Sequence, residues 1–397
     1  MFTYRLYGLY LLVLLVMGRG AEAQSPFNYF FRHIDQSDGL LHNQALSIAQ
    51  DASGYIWITT TNGLQRYDGL RFSSYPEMIS DPNEDFTYTT ELHADERNNV
   101  LWLTNNIKLE KMELDNNHFT VYDAEGMRRD SSFHFSQYKD GSDKPVTIGQ
   151  NAIFRAGDAS GEYELLHLNV QPPQSHQSGF IATDSIRHIT WAVSSTQLYR
   201  TDDKRKILYS KNWNPQRHPL LDSSCYHLAG DFFRFILLDS RQNIWVSTWG
   251  DALLRYDPLT NKVSRYSLSA VQAREKAGRR DDATPLIDCM LEDDNHTIWI
   301  GTENAGLLRY DAAKDQFDYC IAREEDPESI RYNYKVFSLF QDKERNIWAG
   351  TDKGISIFNP YRQYIRTIRH LEGDSGSVGK SELMCFLQSD RGDLFLG

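Results

Sequence analysis

Several aromatic, amide and carboxylate residues lie in short polar segments where they could bind a sugar. Aromatic faces can stack on a sugar ring, and amides and carboxylates hydrogen-bond its hydroxyls. Such a set suits a neutral or cationic glycan. An alternative is that these residues line a water-filled channel or contact a partner domain. The candidate ligand-binding residues are His42, Asn43, Asn62, Asp231, Trp249, Asp251, Glu303, Asn304, Tyr332, Asn333, Tyr334 and Asp352.

The carboxylates among these candidates could instead catalyse hydrolysis. A glycosidase needs two carboxyl groups across the scissile bond, and Asp231, Asp251, Glu303 and Asp352 could converge. An acidic protein offers such a set by chance, so no catalytic residue is predicted. No cysteine pair has zinc spacing and no phosphate-binding glycine loop is present, so neither a metal nor a cofactor is predicted. A secreted glycosidase or lyase remains an alternative function.

A repeat must position these residues. One sequence motif recurs: an aspartate, an Ile-Trp strand, a threonine, a turn and then an aromatic residue followed by aspartate or asparagine. Its clear copies span 51–68, 239–257, 293–311 and 342–359. Weaker copies surround Trp102, Val146–Gly149 and Trp191, so the sequence predicts seven copies at a period of about 45–54 residues. An eighth copy, with Phe395 in the tryptophan position, is predicted to be cut off at the end of the chain.

Each copy has the signals of four short strands. Runs rich in β-branched and aromatic residues are separated by Asp, Asn and Gly, and the chain after residue 24 shows no sustained helical periodicity. Four strands per copy at this period predict an all-β fold, a seven-bladed β-propeller of four-stranded antiparallel blades. The segment from Tyr29 to Ile34 is predicted to supply the outer strand of the seventh blade and close the ring.

The repeated residues themselves are predicted to be structural. The large apolar tryptophans should lie between blades, and these are Trp57, Trp102, Trp191, Trp245, Trp299 and Trp348. Asp51, Asp239, Asp293 and Asp342 should accept hydrogen bonds from backbone N–H groups in equivalent turns. In a propeller, the connections between blades and the turns between second and third strands share one face. The candidate ligand-binding residues are predicted to lie on that face.

Residues 1–23 have the pattern of a cleavable signal peptide. Arg5 precedes an apolar stretch from Leu9 to Met17, and Ala21-Glu-Ala23 is a small-x-small cleavage site. The mature chain is therefore predicted to be exported, without membrane insertion. Its formal net charge of −12 argues against nucleic acid as a partner. Cys225, Cys289, Cys320 and Cys385 could form disulfides in an oxidising compartment, although Cys289 and Cys385 are predicted to lie in first strands as small apolar residues.

The repeated phrases resemble those of a known family. Asp51-x-x-Gly-x-Ile-Trp-Ile-x-Thr60, the Gly-Leu-x-Arg-Tyr-Asp ending and the introductory Ser37-Asp-Gly-Leu40…Asn43 resemble the two-component regulator propeller repeat. This resemblance implies the periplasmic sensor region of a hybrid two-component system that detects glycan fragments. The fuller protein would have a second propeller, a β-sandwich, a membrane helix, a kinase and a response regulator. This chain has none of the later domains, so it is predicted to be a fragment.

These observations lead to one predicted organisation. Residues 1–23 form the signal peptide, 24–370 the propeller, and 371–397 the truncated start of a further blade or second propeller. The predicted function is ligand sensing in the periplasm by binding without catalysis, with signalling by phosphorelay in the absent domains. Predicted partners are an oligosaccharide and either a second copy of the chain or the missing receptor domains. A protein-interaction scaffold is the other alternative.

Overall fold

The structure is a computed structural model, and it describes antiparallel strands and their connections. The described residues are 29–75, 91–104, 109–122, 132–134, 146–149, 151–156, 163–170, 180–184, 186–193, 197–202, 204, 207–222, 233–248, 252–269, 285–320, 322, 326–332, 334–362, 385–389 and 394–396. The predicted signal peptide lies outside them. Within the described part of the chain, no helix combines the length and apolar character that a bilayer span requires.

The first described elements are β1 (Arg32–Ile34) and a 3-10 helix (Gln36–Asp38), and the first three blades follow. Blade 1 contains β2 (Ala45–Gln50), β3 (Ile56–Thr60), β4 (Gly63–Tyr67) and β5 (Phe72–Tyr75). Blade 2 contains β6 (Glu91–Asp95), β7 (Val100–Thr104), β8 (Leu109–Glu113) and β9 (His118–Tyr122). Blade 3 contains β10 (Ser132–His134), β11 (Val146–Gly149), β12 (Asn151–Ala156) and β13 (Tyr163–Val170).

Three further blades follow the same order. Blade 4 contains β14 (Phe180–Asp184), β15 (Ile189–Val193), β16 (Leu198–Asp202) and β17 (Ile207–Ser210), and a 3-10 helix (Pro219–Leu221) comes after it. Blade 5 contains β18 (Phe233–Leu238), β19 (Ile244–Thr248), β20 (Ala252–Asp257) and β21 (Lys262–Ser267). Blade 6 contains β22 (Leu286–Glu292), β23 (Ile298–Glu303), β24 (Leu307–Asp311) and β25 (Gln316–Cys320).

The seventh copy of the repeat does not form a blade by itself. It supplies β26 (Val336–Gln341), β27 (Ile347–Thr351) and β28 (Gly354–Phe358), and β1 completes this sheet by pairing with β28. Six complete blades of consecutive strands are therefore present instead of the predicted seven blades, and the sheet that β1 completes is called blade 7. The reason is physical: β28 would be an open edge, and the N-terminal strand covers it. The all-β propeller of four-stranded antiparallel blades and the closing role of the N-terminal strand are confirmed.

The last described strands form a small separate sheet. β29 (Phe386–Gln388) pairs with β30 (Leu394–Leu396) in antiparallel register, with Leu387 opposite Phe395. This is the pairing expected of the first two strands of a further repeat. That residues 371–397 begin another blade or a second propeller remains a prediction.

Apolar cores lie between successive blades. The first strands of blades 4 to 7 pack against one another in turn, and those of blades 7, 1 and 2 do the same. One tryptophan belongs to each of these interfaces, as Trp299 does in the core that joins blade 6 to Ile347 and Phe358 of blade 7. The repeated tryptophans have at most 4% of their surface exposed; they are Trp57, Trp102, Trp191, Trp245, Trp299 and Trp348.

The repeated aspartates bind these indoles as well as the turn. In four blades the carboxylate accepts a hydrogen bond from the tryptophan Nε1–H, at 2.8 Å for Asp51, Asp239 and Asp293 and at 2.7 Å for Asp342. The other carboxylate oxygen accepts backbone N–H groups of the turn, such as that of Thr297 at 2.9 Å. The sequence predicts the turn bonds, but the bond to the buried indole appears only when the strands are in place.

Glycine allows two blades to approach closely. A Cβ atom on Gly301 would lie 2.8 Å from Val336 Cγ1, which belongs to the first strand of the next blade. A Cβ on Gly350 would similarly lie 2.5 Å from the backbone oxygen of Ala45. These two glycines therefore occupy the second position after the tryptophan because any side chain there would push the blades apart.

His33 is part of the closing strand and is held as a neutral imidazole. Its Nε2 lies 3.0 Å from the carbonyl oxygen of Pro327, and its Nδ1 lies 3.1 Å from Ser356 Oγ on β28. The Ser356 hydroxyl also accepts the Arg331 N–H at 3.1 Å. Burial, with a smaller contribution from the positive charge of Arg331, lowers the pKa of His33 from 6.5 to about 4.

We expect this histidine to make stability depend on pH. Between pH 6.5 and about 4, the unfolded chain binds a proton at His33 and the folded chain does not, so stability falls as the pH is lowered through that window. Discounted for partial exposure, the loss is about 1–2 kcal/mol. Urea unfolding at several pH values measures it. His33→Gln should show a smaller loss than the wild type over this window, and an equal loss in both would contradict the assignment.

Candidate functional site

The face that carries the connections between blades is here called the connection face, and in blades 6 and 7 a threonine three residues after the tryptophan shapes it. Thr302 Oγ1 lies 2.8 Å from the carbonyl oxygen of Gly306, and Thr351 Oγ1 lies 2.9 Å from that of Gly354. Both threonines are fully buried. Each hydroxyl therefore fixes the turn between second and third strands, and these turns carry the candidate residues Glu303, Asn304 and Asp352.

Tyr334 is the exposed aromatic residue at the centre of this region. Its hydroxyl donates to Glu303, and its backbone N–H donates to Asp352 Oδ2 at 3.0 Å. Its carbonyl accepts the Asn304 N–H at 2.8 Å. The ring is still 51% exposed. Three other residues predicted from the sequence thus meet around Tyr334, which is fixed at both its hydroxyl and its backbone.

The same line of hydrogen bonds continues into blade 1. The Gly354 N–H donates to the carbonyl oxygen of Asn43 at 2.7 Å, and Asn43 Oδ1 accepts the Gln36 N–H at 2.9 Å. His42 Nδ1 accepts the Gln44 N–H at 3.0 Å, so this nitrogen supports its own loop. We call the series Asn304, Tyr334, Asp352 and Asn43 the connection-face arc. It spans the junctions of blade 6 with blade 7 and of blade 7 with blade 1.

Asn62 lies beside the arc in the turn between β3 and β4. Its Nδ2 donates to the carbonyl oxygen of Leu41 at 3.4 Å, and its side chain is exposed. This bond connects the turn of blade 1 to the loop that contains His42. Asn62 and His42 therefore extend the same surface on blade 1.

An ion network lies directly behind Tyr334 and joins three blades. Arg234 of β18 contacts Asp288 of β22 and lies 3.9 Å from Glu303 Oε2. Lys335 Nζ lies 3.1 Å from Asp288 Oδ1 and 3.4 Å from Glu303 Oε2. All four side chains are mostly buried. Glu303 therefore connects the exposed tyrosine to blades 5, 6 and 7 at once.

Burial shapes the ionisation of this network. Desolvation raises the pKa of Asp288, and the neighbouring Arg234 and Lys335 oppose that effect. The hydrogen bond to Glu303 raises the pKa of Tyr334, so the phenol remains protonated and donates to the carboxylate. The two carboxylates and two cations balance formally, which lets the four charges stay in a poorly hydrated place.

Sequence reasoning missed Arg234, Asp288 and Lys335. The available signal was a charged residue inside an otherwise apolar first strand, as Asp288 is between Ile287 and Cys289. A charge in such a strand must find a partner. The partners come from neighbouring blades, about 50 residues away in sequence, so the pattern within one copy could not identify them.

The other predicted residues fall into two groups. Tyr332 is only 3% exposed, and its ring packs against Gly306 in the core between blades 6 and 7. Tyr332 and Tyr334 both precede β26, and Tyr332 is buried there while Tyr334 is half exposed, so Tyr332 presents little surface to a ligand. Asp231, Trp249, Asp251 and Asn333 lie outside the described residues.

The described cysteines are not arranged for chemistry at this site. Cys289 and Cys320 are free and buried, whereas Cys385 is free and exposed. Burial raises the pKa of the Cys320 thiol to about 12. The same cause raises that of Cys289, and both thiols are therefore protonated at neutral pH. Within the described ranges, no three His, Cys, Asp or Glu side chains are close enough to bind a metal ion.

The two carboxylates beside Tyr334 already accept hydrogen bonds from this residue. Glu303 accepts from Tyr334 and contacts Lys335, and Asp352 accepts the Tyr334 N–H. Both carboxylates therefore hold the aromatic ring in place. An exposed ring with an amide beside it is the combination that stacks on a sugar and hydrogen-bonds its hydroxyls.

Comparison with solved structures identifies relatives of this fold. The extracellular domain of the hybrid two component system BT3049 from B. thetaiotaomicron matches with a TM-score of 0.65 and 20% identity, covering 93% of this chain and 47% of that one. The corresponding domain of BT4673 from the same organism matches with a TM-score of 0.61 and 17% identity, covering 93% and 45%. The chain thus spans about half the length of these two domains.

More distant propellers have the same shape. The WD40 β-propeller domain of Doa1 matches with a TM-score of 0.54 and 10% identity, covering 85% of this chain and 98% of that domain. At these identities the likeness concerns the fold. A sequence comparison with curated proteins finds no match.

A family model matches the sequence in two places. The two component regulator propeller matches residues 39–62, in blade 1, and residues 283–304, in blade 6. These segments contain the Ile-Trp strands, the bonded aspartates and, in blade 6, Glu303 and Asn304 of the site. The resemblance seen in the repeat is confirmed, and the chain is a β-propeller that carries two component regulator propeller repeats.

Proposed function

We propose that this chain is the ligand-sensing region of an exported two-component signalling receptor, and that it binds glycan fragments without transforming them. The single observation that carries the proposal is Tyr334, which is half exposed and yet fixed by Glu303, Asp352 and the Asn304 backbone. A preorganised aromatic ring loses little conformational freedom when a sugar stacks on it. The family match to the repeat supports a sensor.

The charges suit a neutral or cationic sugar. Glu303 and Asp352 stand on either side of the exposed ring, and the Asn43 carbonyl and Asn62 amide lie farther along the face. A ligand with hydroxyl or amino groups would find acceptors there. An anionic sugar would be repelled by the two carboxylates.

Signalling would require parts of the receptor beyond these residues. The predicted signal peptide and the extracellular location of BT3049 and BT4673 support a periplasmic position. Ligand binding would shift the arrangement of this propeller relative to a second copy or to other receptor domains. The free energy of this shift cannot exceed the difference between the free energies with which the ligand binds the two arrangements. Kinase activity would lie in those other domains.

The Tyr334 ring provides a direct test of this site. With cellohexaose, xylohexaose and mannohexaose as probes, we expect one to raise the melting temperature of the protein without forming products. Tyr334→Ala should weaken binding of that probe about tenfold because the stacking surface is removed. Tyr334→Phe keeps the ring and should lose much less. Calorimetric titration measures the affinities, and chromatography of the incubated sugar detects products.

The alternatives predict different results in the same assay. Product formation that Glu303→Gln abolishes would indicate a glycosidase or lyase. An absence of both stabilisation and turnover with all probes would favour a protein-interaction scaffold. Equal affinity in the wild type and Tyr334→Ala would show that any glycan site lies elsewhere on the propeller.

A further inference from the structure

The outer side of blade 4 carries a second aromatic residue that the fold does not bury. Trp213 follows β17 and is 51% exposed, whereas the tryptophans between blades are at most 4% exposed. Burial would stabilise an indole, so an exposed one that is held in a fixed position calls for another explanation. This position lies on the outer edge of the ring, away from the first strands that carry the ion network.

Tyr209 packs against one face of the Trp213 ring, and hydrogen bonds hold the Trp213 backbone. It stacks on Tyr209 with a centroid distance of 5.1 Å and an angle of 9° between the rings. Its N–H and carbonyl exchange hydrogen bonds with Ser210 at 3.1 and 3.2 Å. The loop after it is closed by Asn214, which bonds the His218 N–H and carbonyl at 2.8 and 3.0 Å. Tyr209 is buried, so the exposed surface includes the opposite face of the indole.

A cation and an amide accompany this ring. The Arg200 guanidinium lies 5.5 Å from the Tyr209 ring centroid, and its Nη1 lies 3.4 Å from Gln216 Oε1. Gln216 Nε2 in turn lies 3.4 Å from the Tyr209 hydroxyl. Among the residues that the structure describes, no carboxylate forms an ion pair with Arg200. A half-buried guanidinium without a carboxylate is suited to bind an anion.

The local charge has the opposite sign to that of the whole protein. From Arg200 to His218 the sequence contains six Lys and Arg residues and two Asp residues, although the whole chain has a net charge of −12. Lys211 and Arg217 flank Trp213 and are exposed. A negatively charged ligand would therefore be attracted to this edge and repelled by most of the remaining surface.

We propose that Trp213, Arg200 and Gln216 form a second binding site, specific for an acidic oligosaccharide. A pyranose ring would stack on the open face of the indole, and its carboxylate would approach the Arg200 guanidinium. Gln216 would contribute its amide to ring hydroxyls while keeping Arg200 and Tyr209 in register. The ligand at this site differs in charge from the neutral or cationic sugar proposed for the connection-face arc, and the two sites are independent.

A structural role for Trp213 is the competing explanation, since the indole also covers Tyr209. A cover needs an apolar ring but neither a fixed open face nor a guanidinium that has no carboxylate partner among the described residues. The two roles therefore make different predictions for variants that keep an aromatic ring and for variants that remove only the charge.

Binding of tetragalacturonate to the purified protein tests the proposal. Calorimetric titration at low salt should show binding that weakens as salt is added. Trp213→Ala and Arg200→Gln should each lower the affinity about tenfold, and Trp213→Phe should lower it less. Tyr334→Ala should leave this affinity unchanged, which separates this site from the one on the connection face. Melting temperatures establish that each variant is folded.

Two control ligands fix the chemical class of the ligand. Maltotetraose lacks the carboxylates, and hexaglutamate has carboxylates without sugar rings. We expect tetragalacturonate to bind at least about tenfold more tightly than either. Equal binding of hexaglutamate would overturn the proposal in favour of an acidic-peptide surface. Equal binding of maltotetraose, no binding of tetragalacturonate, or unchanged affinity in folded Trp213→Ala would also overturn it.

Discussion

Replacement of Asp293 by alanine is expected to lower the free energy of unfolding by about 3–5 kcal/mol. The carboxylate accepts the Trp299 Nε1–H at 2.8 Å and the N–H groups of Asn295 and Thr297 at 2.9 Å. Trp299 is 1% exposed, so its indole N–H would remain buried without an acceptor. Each group that loses its partner in a buried place costs about 1–3 kcal/mol. Urea unfolding followed by circular dichroism measures the change.

Asp95 provides the matched comparison within the same fold. It occupies the equivalent turn of blade 2 and is also buried, but its carboxylate accepts from the backbone N–H groups of Arg97 and Asn98 and from the Asn98 side chain. Asp95→Ala should therefore cost less, about 1–2 kcal/mol. Asp293→Asn, which retains one acceptor oxygen, should fall between the two alanine variants. If Asp293→Ala and Asp95→Ala were equally destabilised, the bond to the indole would contribute nothing.

The difference between these two turns explains part of what the sequence could predict. In the blades where the carboxylate reaches the indole, six positions separate them, as between Asp239 and Trp245. In blade 2 Asp95 precedes Trp102 by seven positions, and its carboxylate bonds its own turn instead. The repeat therefore gives the position of each turn reliably. The change in bonding that one extra residue produces depends on strand geometry, which no composition or period reveals.

The repeat pattern did not predict the contacts between neighbouring blades. On the face opposite the connections, hydrogen bonds join the repeated aspartate turns of neighbouring blades. The residue that follows the aspartate in one blade donates its N–H to the side chain of the residue that precedes the aspartate in the next blade. Ser240 donates to Glu292 Oε2 at 2.7 Å, and Asp294 donates to Gln341 Oε1 at 2.8 Å. Lys343 donates to Gln50 Oε1 at 2.8 Å across the closure. These contacts of Gln50, Glu292 and Gln341 cannot be predicted from a single copy, because the donors belong to the neighbouring one.

In the candidate site too, the sequence predicts the residues of a turn within one copy but not the contacts between copies. Residues in turns, such as Asn304 and Asp352, follow from the position of the turn within a copy. Tyr332 and Tyr334 could not be separated from the sequence because Asn333 lies between them and both are aromatic. The fold of the connection before β26 leaves Tyr334 half exposed and buries Tyr332. Arg234 and Lys335 enter the site only because three first strands converge there.

The two faces of the propeller therefore differ in what joins their blades. Backbone-to-side-chain bonds repeat from blade to blade on the face opposite the connections. On the connection face, the junction of blades 5, 6 and 7 depends on the side chains of Arg234, Asp288, Glu303 and Lys335. A ligand that contacts Glu303 or Tyr334 could alter that junction without disturbing the opposite face. This is the property expected of a propeller that signals by a change in arrangement.

Closure of the ring gives the second large effect. Gly354 has a φ of +99° and begins β28, where a Cβ atom would overlap the carbonyl oxygen of Ile34 and would lie 3.2 Å from Asp35 Cα. These are backbone atoms, so no side-chain rotation can make room for it. Gly354→Ala should push β1 away from β28 and lower the free energy of unfolding by about 2–5 kcal/mol, the sum of backbone and overpacking costs. Denaturant unfolding measures the loss, and amide exchange at Arg32–Ile34 reports the opened edge.

Gly69 is the matched control for the backbone cost alone. Its φ is +98°, but a Cβ atom there would meet nothing within 4 Å. Gly69→Ala should therefore cost about 1–2 kcal/mol and leave the exchange of β1 unchanged. The excess loss in Gly354→Ala then measures how much the fit of the N-terminal strand contributes to the closed ring. If the two variants lost the same amount, the contact between Gly354 and the backbone of Ile34 would not limit closure of the ring.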